Sequence, residues 1–168
     1  GVSAVIATRL GLAEARPIVA SERIADASVG LGRIGRLADP ITLEMFAERI
    51  ADALPPTVSG VRVAGDPARL VQRVALCGGA GDGLLDHPAV RESDVYVTSD
   101  LRHHPAQESL EQSLVGGGPA LIDVSHWASE SLWLEGSAER IGAALPGVDV
   151  RVSVTRTDPW TFARGAAV

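Results

Sequence analysis

From Thr42 onward, segments with apolar residues every three to four positions alternate with short runs of period two. That alternation constrains the fold more than any other feature, because helices interleaved with strands can bury both apolar sets only as layers around a central sheet. Thr42 can cap a helix, with Glu44 in its positive first turn, and Leu43, Phe46, Ala47, Ile50 and Leu54 line one face before Pro55-Pro56 ends it. Val61-Arg62-Val63 and Val71 to Cys77 read as strands around a Gly65-Asp66-Pro67 turn. Asp94 to Thr98 is another strand. Pro105 suits the first turn of the helix after it, with Leu110 and Leu114 on the apolar side and Gly116-Gly117-Gly118 at its end. Ala120 to Ile122 forms an apolar run into Asp123, and Ser125 can cap the next helix, whose expected buried face continues through Leu134, Ala138, Ile141 and Leu145. Val148, Val150, Val152 and Val154 alternate with polar residues as a final strand. The expected fold class is α/β: a layered mixed β-sheet with flanking helices.

The first forty residues are less regular. Val2, Val5, Ile6 and Leu10 share a helical face that Gly11 stops, and Arg16 to Val19 is extended. Gly30, Gly32 and Gly35 alternate with apolar residues but lack the Lys-Ser/Thr ending of a phosphate-binding loop, so a bent strand is expected there.

At 168 residues, the chain suits one domain, and 46% hydrophobic content supplies a core. With aromatics at only 4%, that core must be aliphatic. The formal net charge of -6 argues against a broad nucleic-acid footprint, which needs a clustered basic face. A lone Cys77 excludes an internal disulfide and fits a reducing, cytoplasmic setting. No apolar run reaches the length of a membrane span, and no signal peptide is visible.

The chemistry concentrates at the carboxyl ends of the expected strands, where open α/β sheets keep their sites. His126 and Glu130 are four apart on one helix, so an imidazole and a carboxylate point the same way. Both are ligands for divalent transition metals, although a solvated surface pair has the same spacing. Cys77 to Gly83 reads as strand, glycine-rich loop and helix, the layout of an anion-binding turn. It does not complete a Gly-x-Gly-x-x-Gly fingerprint. Ser99-Asp100-Leu101-Arg102-His103-His104 follows its strand in the same way. The topology therefore expects Gly78–Gly83, Thr98–Pro105 and Val124–His126 on one rim.

Five stretches match a family pattern jointly: Gly32 to Leu37, Val61 to Asp66, Val74 to Gly81, Asp94 to Asp100, and Ile122 to His126 with Glu130. Their order and spacing resemble the Nif-three-like dinuclear metal-centre family, also known as GTP cyclohydrolase I type 2. The match covers nearly the whole chain but only the second half of the family pattern. The resemblance implies one α/β lobe over 1–168, with the N-terminal lobe absent and Gly1 to Leu12 as the link leading out of it. In such proteins two similar lobes face a cleft holding two divalent ions (zinc, manganese or iron). His126 and Glu130 match the ligands of a Gly-His-x-x-x-Glu motif, with Ser125 in place of Gly. Thr98 and Asp100 match a Thr-Gly-Asp motif with Ser99 in place of Gly, and His104 matches a recurrent later His. Asp100 and His104 would orient water or support the ligands.

The resemblance implies metal-dependent hydrolysis, of a purine imidazole ring or a phosphate ester, on an undetermined small-molecule substrate. The expected assembly is a homo-oligomer, a hexamer in the intact protein. The competing readings are a non-catalytic, ring-forming metal- or ligand-binding protein and a lobe without metal. Two ligands do not make a site by themselves, so the chain alone is expected to be inactive.

Overall fold

The computed structural model describes residues 1–165. Helix α1 (Val2–Arg9) leads into strands β1 (Ala13–Arg16), β2 (Val19–Ala20), β3 (Gly30–Leu31) and β4 (Arg33–Thr42). Helix α2 (Leu43–Ala53) and strands β5 (Arg62–Ala64) and β6 (Leu70–Ala80) follow, then a short 3-10 turn (Asp82–Leu84) and α3 (Pro88–Arg91). Strand β7 (Val95–Ser99), helix α4 (His103–Gly116), strand β8 (Ala120–Val124) and helix α5 (His126–Ala144) complete the regular structure.

Six strands form one mixed sheet in the order β1-β4-β6-β7-β8-β5. The centre, β6-β7-β8, is parallel, with Val97 opposite Leu76 on one side and Ile122 on the other. β4 joins it antiparallel, as does the short edge strand β5. β2 and β3 form a separate two-stranded ribbon.

Each face of the sheet carries its own core. On one side, α1 and α2 contribute Ile6, Leu10, Leu43, Phe46 and Ile50 against Val74, Val97 and Ile122, with Leu132 of α5 partly buried at the margin. On the other, Leu84, Leu85 and Val90 pack with Tyr96 and Leu121, and Leu110 of α4 lies against them. Alternate residues of the central strands supply the two layers, which is why β7 is buried at all five positions. Helix α2 begins where expected: the Thr42 hydroxyl accepts from the Met45 N–H at 3.2 Å.

Four expectations fail here. The segment Val148 to Val154 is no strand; Val148 and Val154 are exposed and the stretch pairs with nothing in the sheet. Alternation specifies a strand only where an open edge is in reach, and Val152 to Val154 instead lie beside the end of α2 and the first half of α5, just before Arg156 donates to the Pro56 carbonyl. Nor do Leu134, Ile141 and Leu145 form the buried face of α5, being 41%, 46% and 52% exposed. Its fully buried residues are Ala128, Ser129 and Ser137, small side chains that let the helix approach β6 closely enough for the Gly79 N–H to reach Ser129 Oγ, with Leu132 partly buried beside them. Leu114 of α4 likewise faces solvent. Finally, Gly78 and Gly79 belong to β6 rather than to a loop.

Candidate metal centre

The three parallel strands end side by side, so the residues after each share one edge of the sheet. After β8, the Ser125 hydroxyl accepts from the Ala128 N–H at 3.4 Å and opens α5 with His126 as its first residue. After β7, Asp100 adopts a left-handed conformation, with φ 58°. Asp tolerates that region better than most residues. The Leu101 N–H, donated to Asp123 Oδ1 at 2.8 Å, fastens the turn behind it. Asp123 is itself paired with Arg62 of the edge strand.

This arrangement brings Asp100, His126 and Glu130 together. His126 Nδ1 lies 2.7 Å from Asp100 Oδ2, and Nε2 lies 3.2 Å from Glu130 Oε1. The imidazole is thus bracketed by two carboxylates, one from the neighbouring strand end and one from the next turn of its own helix. The hydrogen bond with Asp100 raises the His126 pKa above its ordinary value; partial burial opposes this, and the Glu130 charge adds to it.

Strand β6 forms the floor. Gly79 has φ +74°, and a Cβ there would stand 2.8 Å from Glu130 Oε1 and 3.2 Å from His126 Nε2. The missing side chain therefore makes room for both groups. The Gly79 N–H donates to Ser129 Oγ at 3.0 Å, and the Gly78 N–H to Ser3 Oγ at 3.1 Å. These two donors are satisfied internally and are not free for an anion. Below it, Thr98 Oγ1 donates to the Gly79 carbonyl at 3.0 Å and the buried Tyr96 hydroxyl to the Gly81 carbonyl at 2.8 Å. Burial pushes the Tyr96 phenol well up, so it stays a donor.

His104 does not join this group. It is exposed in the first turn of α4, edge-on to His103 with ring centroids 5.3 Å apart. Sequence reasoning singled out the two ligand candidates and Asp100 but missed Gly79 as the floor, Ser129 as its anchor and Asp123 as the brace of the Asp100 turn. Ser129 lies three residues from His126 and so on the same helix side, which is the only signal the sequence offers for it.

The donor set fits part of a metal site. A carboxylate on Nδ1 is the arrangement that orients a ligating histidine and leaves Nε2 for the metal. Nε2 and Glu130 then face one another as two donors. Among the described residues no group of three or more His, Cys, Asp or Glu side chains could hold an ion. Beside the pair opens a cleft of about 740 Å³ walled by Trp127, Trp133 and Leu134, and by residues of the segment after α5.

The sequence profile of the Duf34/NIF3 proteins (NGG1p interacting factor 3) matches residues 1–159. The chain belongs to the Duf34/NIF3 family. A Mycobacterium tuberculosis relative named GTP cyclohydrolase 1 type 2 homolog is 56% identical over 137 residues, covering 79% of this chain and 34% of the relative. A Streptomyces coelicolor relative of the same name is 41% identical over 165 residues, covering 96% and 56%. This Duf34/NIF3 chain thus spans between a third and somewhat over half the length of these curated relatives. Among solved structures, a Bacillus cereus protein related to NIF3 superposes with a TM-score of 0.70 at 29% identity, covering 82% of this chain and 36% of that one. A Staphylococcus aureus protein shares the fold with a TM-score of 0.77 at 24% identity, covering 97% and 65%. No helix among the described residues is long and apolar enough to cross a membrane.

Proposed function

We propose that this chain is a lobe of a metal-dependent hydrolase, supplying His126 and Glu130 to a divalent-metal site completed by donors from outside the chain. The observation that carries this reading is the His126 imidazole held by Asp100 on one nitrogen and aimed at Glu130 with the other. A lone surface i,i+4 pair has no reason to bring a second carboxylate from a left-handed turn, nor to lie over a glycine that clears space for it. The names of the relatives, GTP cyclohydrolase 1 type 2 homolog, favour hydrolysis of a small-molecule substrate.

Zinc, manganese or iron bound there would supply Lewis acidity, lowering the pKa of water and polarising a substrate oxygen. The chain's own residues do the rest. Asp100 fixes the ring orientation and holds the proton at Nδ1, which leaves Nε2 as the donor. Glu130 contributes a carboxylate, and Trp127 and Trp133 give the cleft wall two aromatic surfaces. His104, exposed in the first turn of α4 and apart from this group, takes no part in holding the ring. The remaining donors would come from the N-terminal lobe that such a site faces, and the full-length protein would assemble as a homo-oligomer, a hexamer.

One observation favours a second reading, a non-catalytic metal- or ligand-binding assembly: only two direct donors converge among the described residues. Cobalt(II) titration followed by absorption tests both. A protein of the relatives' full length should bind stoichiometrically and lose binding in His126→Ala. Hydrolysis of GTP or phosphoesters that is abolished by Glu130→Ala and by chelation would select the enzyme. Full binding without turnover would select the second reading, and undiminished binding in His126→Ala would remove both.

A further inference from the structure

The segment after α5 has no regular structure, yet one of its side chains is among the driest charged groups in the chain. The Asp158 carboxylate is 2% exposed. Its Oδ1 accepts from Ser125 Oγ at 3.2 Å, and Oδ2 lies 3.4 Å from Arg156 Nη2. The same Arg156 nitrogen donates to the Pro56 carbonyl at 2.7 Å, and the guanidinium lies 4.8 Å over the Trp127 ring. Carboxylates are seldom this buried without dedicated partners, and here one partner is the cap of α5 and the other an arginine of the same segment.

Ser125 links this cluster to the candidate centre. Its hydroxyl has one proton and two lone pairs. Donating the proton to Asp158 turns the lone pairs toward the Ala128 N–H, the bond that opens α5. His126 is the first residue inside that helix. Asp158 therefore sets the orientation of the cap, and the cap sets the turn that carries the imidazole. The same segment also contributes Ser153, Thr155, Thr157 and Pro159 to the wall of the cleft onto which His126 and Glu130 open.

We propose that Asp158 and Arg156 form a latch that seats the C-terminal segment against α5, acting as positioning residues for His126 and shaping access to the cleft. The proposal rests on reading His126 and Glu130 as metal donors. Arg156 pins the segment through Trp127 and Pro56; Asp158 orders the cap.

The test compares Asp158→Asn, which keeps an acceptor oxygen, with Asp158→Leu, which keeps bulk but removes the acceptor, and with Arg156→Ala. Two readouts are taken: amide hydrogen exchange in the metal-free protein, and cobalt(II) affinity from absorption in a protein of the relatives' full length. Loss of an N-cap interaction corresponds to about five- to tenfold faster exchange at Ala128 and Ser129 in Asp158→Leu, with amides of the buried β7 strand unchanged. Cobalt(II) affinity should fall by about tenfold alongside it, as for other groups that orient a ligand. Asp158→Asn should restore both, and Arg156→Ala should give an intermediate loss even if Asp158→Leu fails to fold. Wild-type exchange at Ala128 in both Asp158→Leu and Arg156→Ala would overturn the latch. Equal losses in Asp158→Asn and Asp158→Leu would overturn it too, because Asn retains the acceptor. If the full-length wild type takes up no cobalt(II), the metal reading falls separately, while the exchange data still judge the latch.

Discussion

Replacing Gly79 by Ala separates the two demands that the site places on one residue. The first is backbone: Gly79 sits at φ +74°, where an L side chain costs about 1–2 kcal/mol. The second is space. The new Cβ would stand 2.8 Å from Glu130 Oε1 and 3.2 Å from His126 Nε2, so the carboxylate must withdraw by roughly half an ångström to reach ordinary contact. Glu130 is a half-exposed, flexible side chain, and moving it costs little folding energy. The metal donors, however, tolerate only about 0.2 Å. Gly60 provides the control, with φ +59° and nothing within 4 Å of its added Cβ. Gly60→Ala and Gly79→Ala should therefore lose similar stability, a fall of roughly 2–8 °C in Tm for a domain of this size. Only Gly79→Ala should also weaken cobalt(II) binding, by about tenfold or more. Thermal melts and absorption titrations of both variants decide the matter. Undiminished binding in Gly79→Ala would refute the claim that this glycine clears the site. A loss of binding as large in Gly60→Ala would show that the effect is global.

Two further perturbations address the charges and the core. Asp100→Asn keeps a residue that tolerates the left-handed turn but removes the chief cause of the raised His126 pKa, which should fall back toward its ordinary value in an NMR titration of the ring. A raised folded-state pKa stabilises fully below the unfolded value, near 6.5, and that stability disappears as pH rises through the folded-state value. Asp100→Asn should thus destabilise at about pH 5 more than at about pH 9. Because the ring is nearly half exposed, the difference should stay under about 1 kcal/mol, and a urea midpoint loss that is larger at high pH would contradict the assignment. Phe46→Ala, at a fully buried position between α2 and the sheet, should cost about 3–5 kcal/mol in denaturant unfolding. A loss below about 1 kcal/mol would mean that the first core does not depend on this ring.

Much of the fold was legible because its signals are local. The Thr42 cap, the Leu43-Phe46-Ile50 stripe and the apolar runs of β7 and β8 each lie within a few residues, and the structure has all of them. What misled were segments whose burial depends on distant neighbours. Val148 to Val154 alternates as a strand would, yet no edge takes it up. In α5 Leu134, Ile141 and Leu145 face outward, because the helix meets β6 through Ser129, a polar residue that hydropathy does not register as core. In the candidate site, the His126–Glu130 spacing followed from helix periodicity alone, whereas the bond from Asp100, twenty-six residues earlier, required β7 and β8 to lie side by side.

The sequence by itself determined the layered α/β architecture and put an imidazole and a carboxylate on one helical face, since both follow from periodicities of two and 3.6. The tertiary structure decided what surrounds them: a left-handed Asp100 on one ring nitrogen, a glycine floor from β6 and a buried Asp158 behind the cap. Those contacts join parts of the chain far apart in sequence, and chain packing, not any local pattern, brings them within hydrogen-bonding distance.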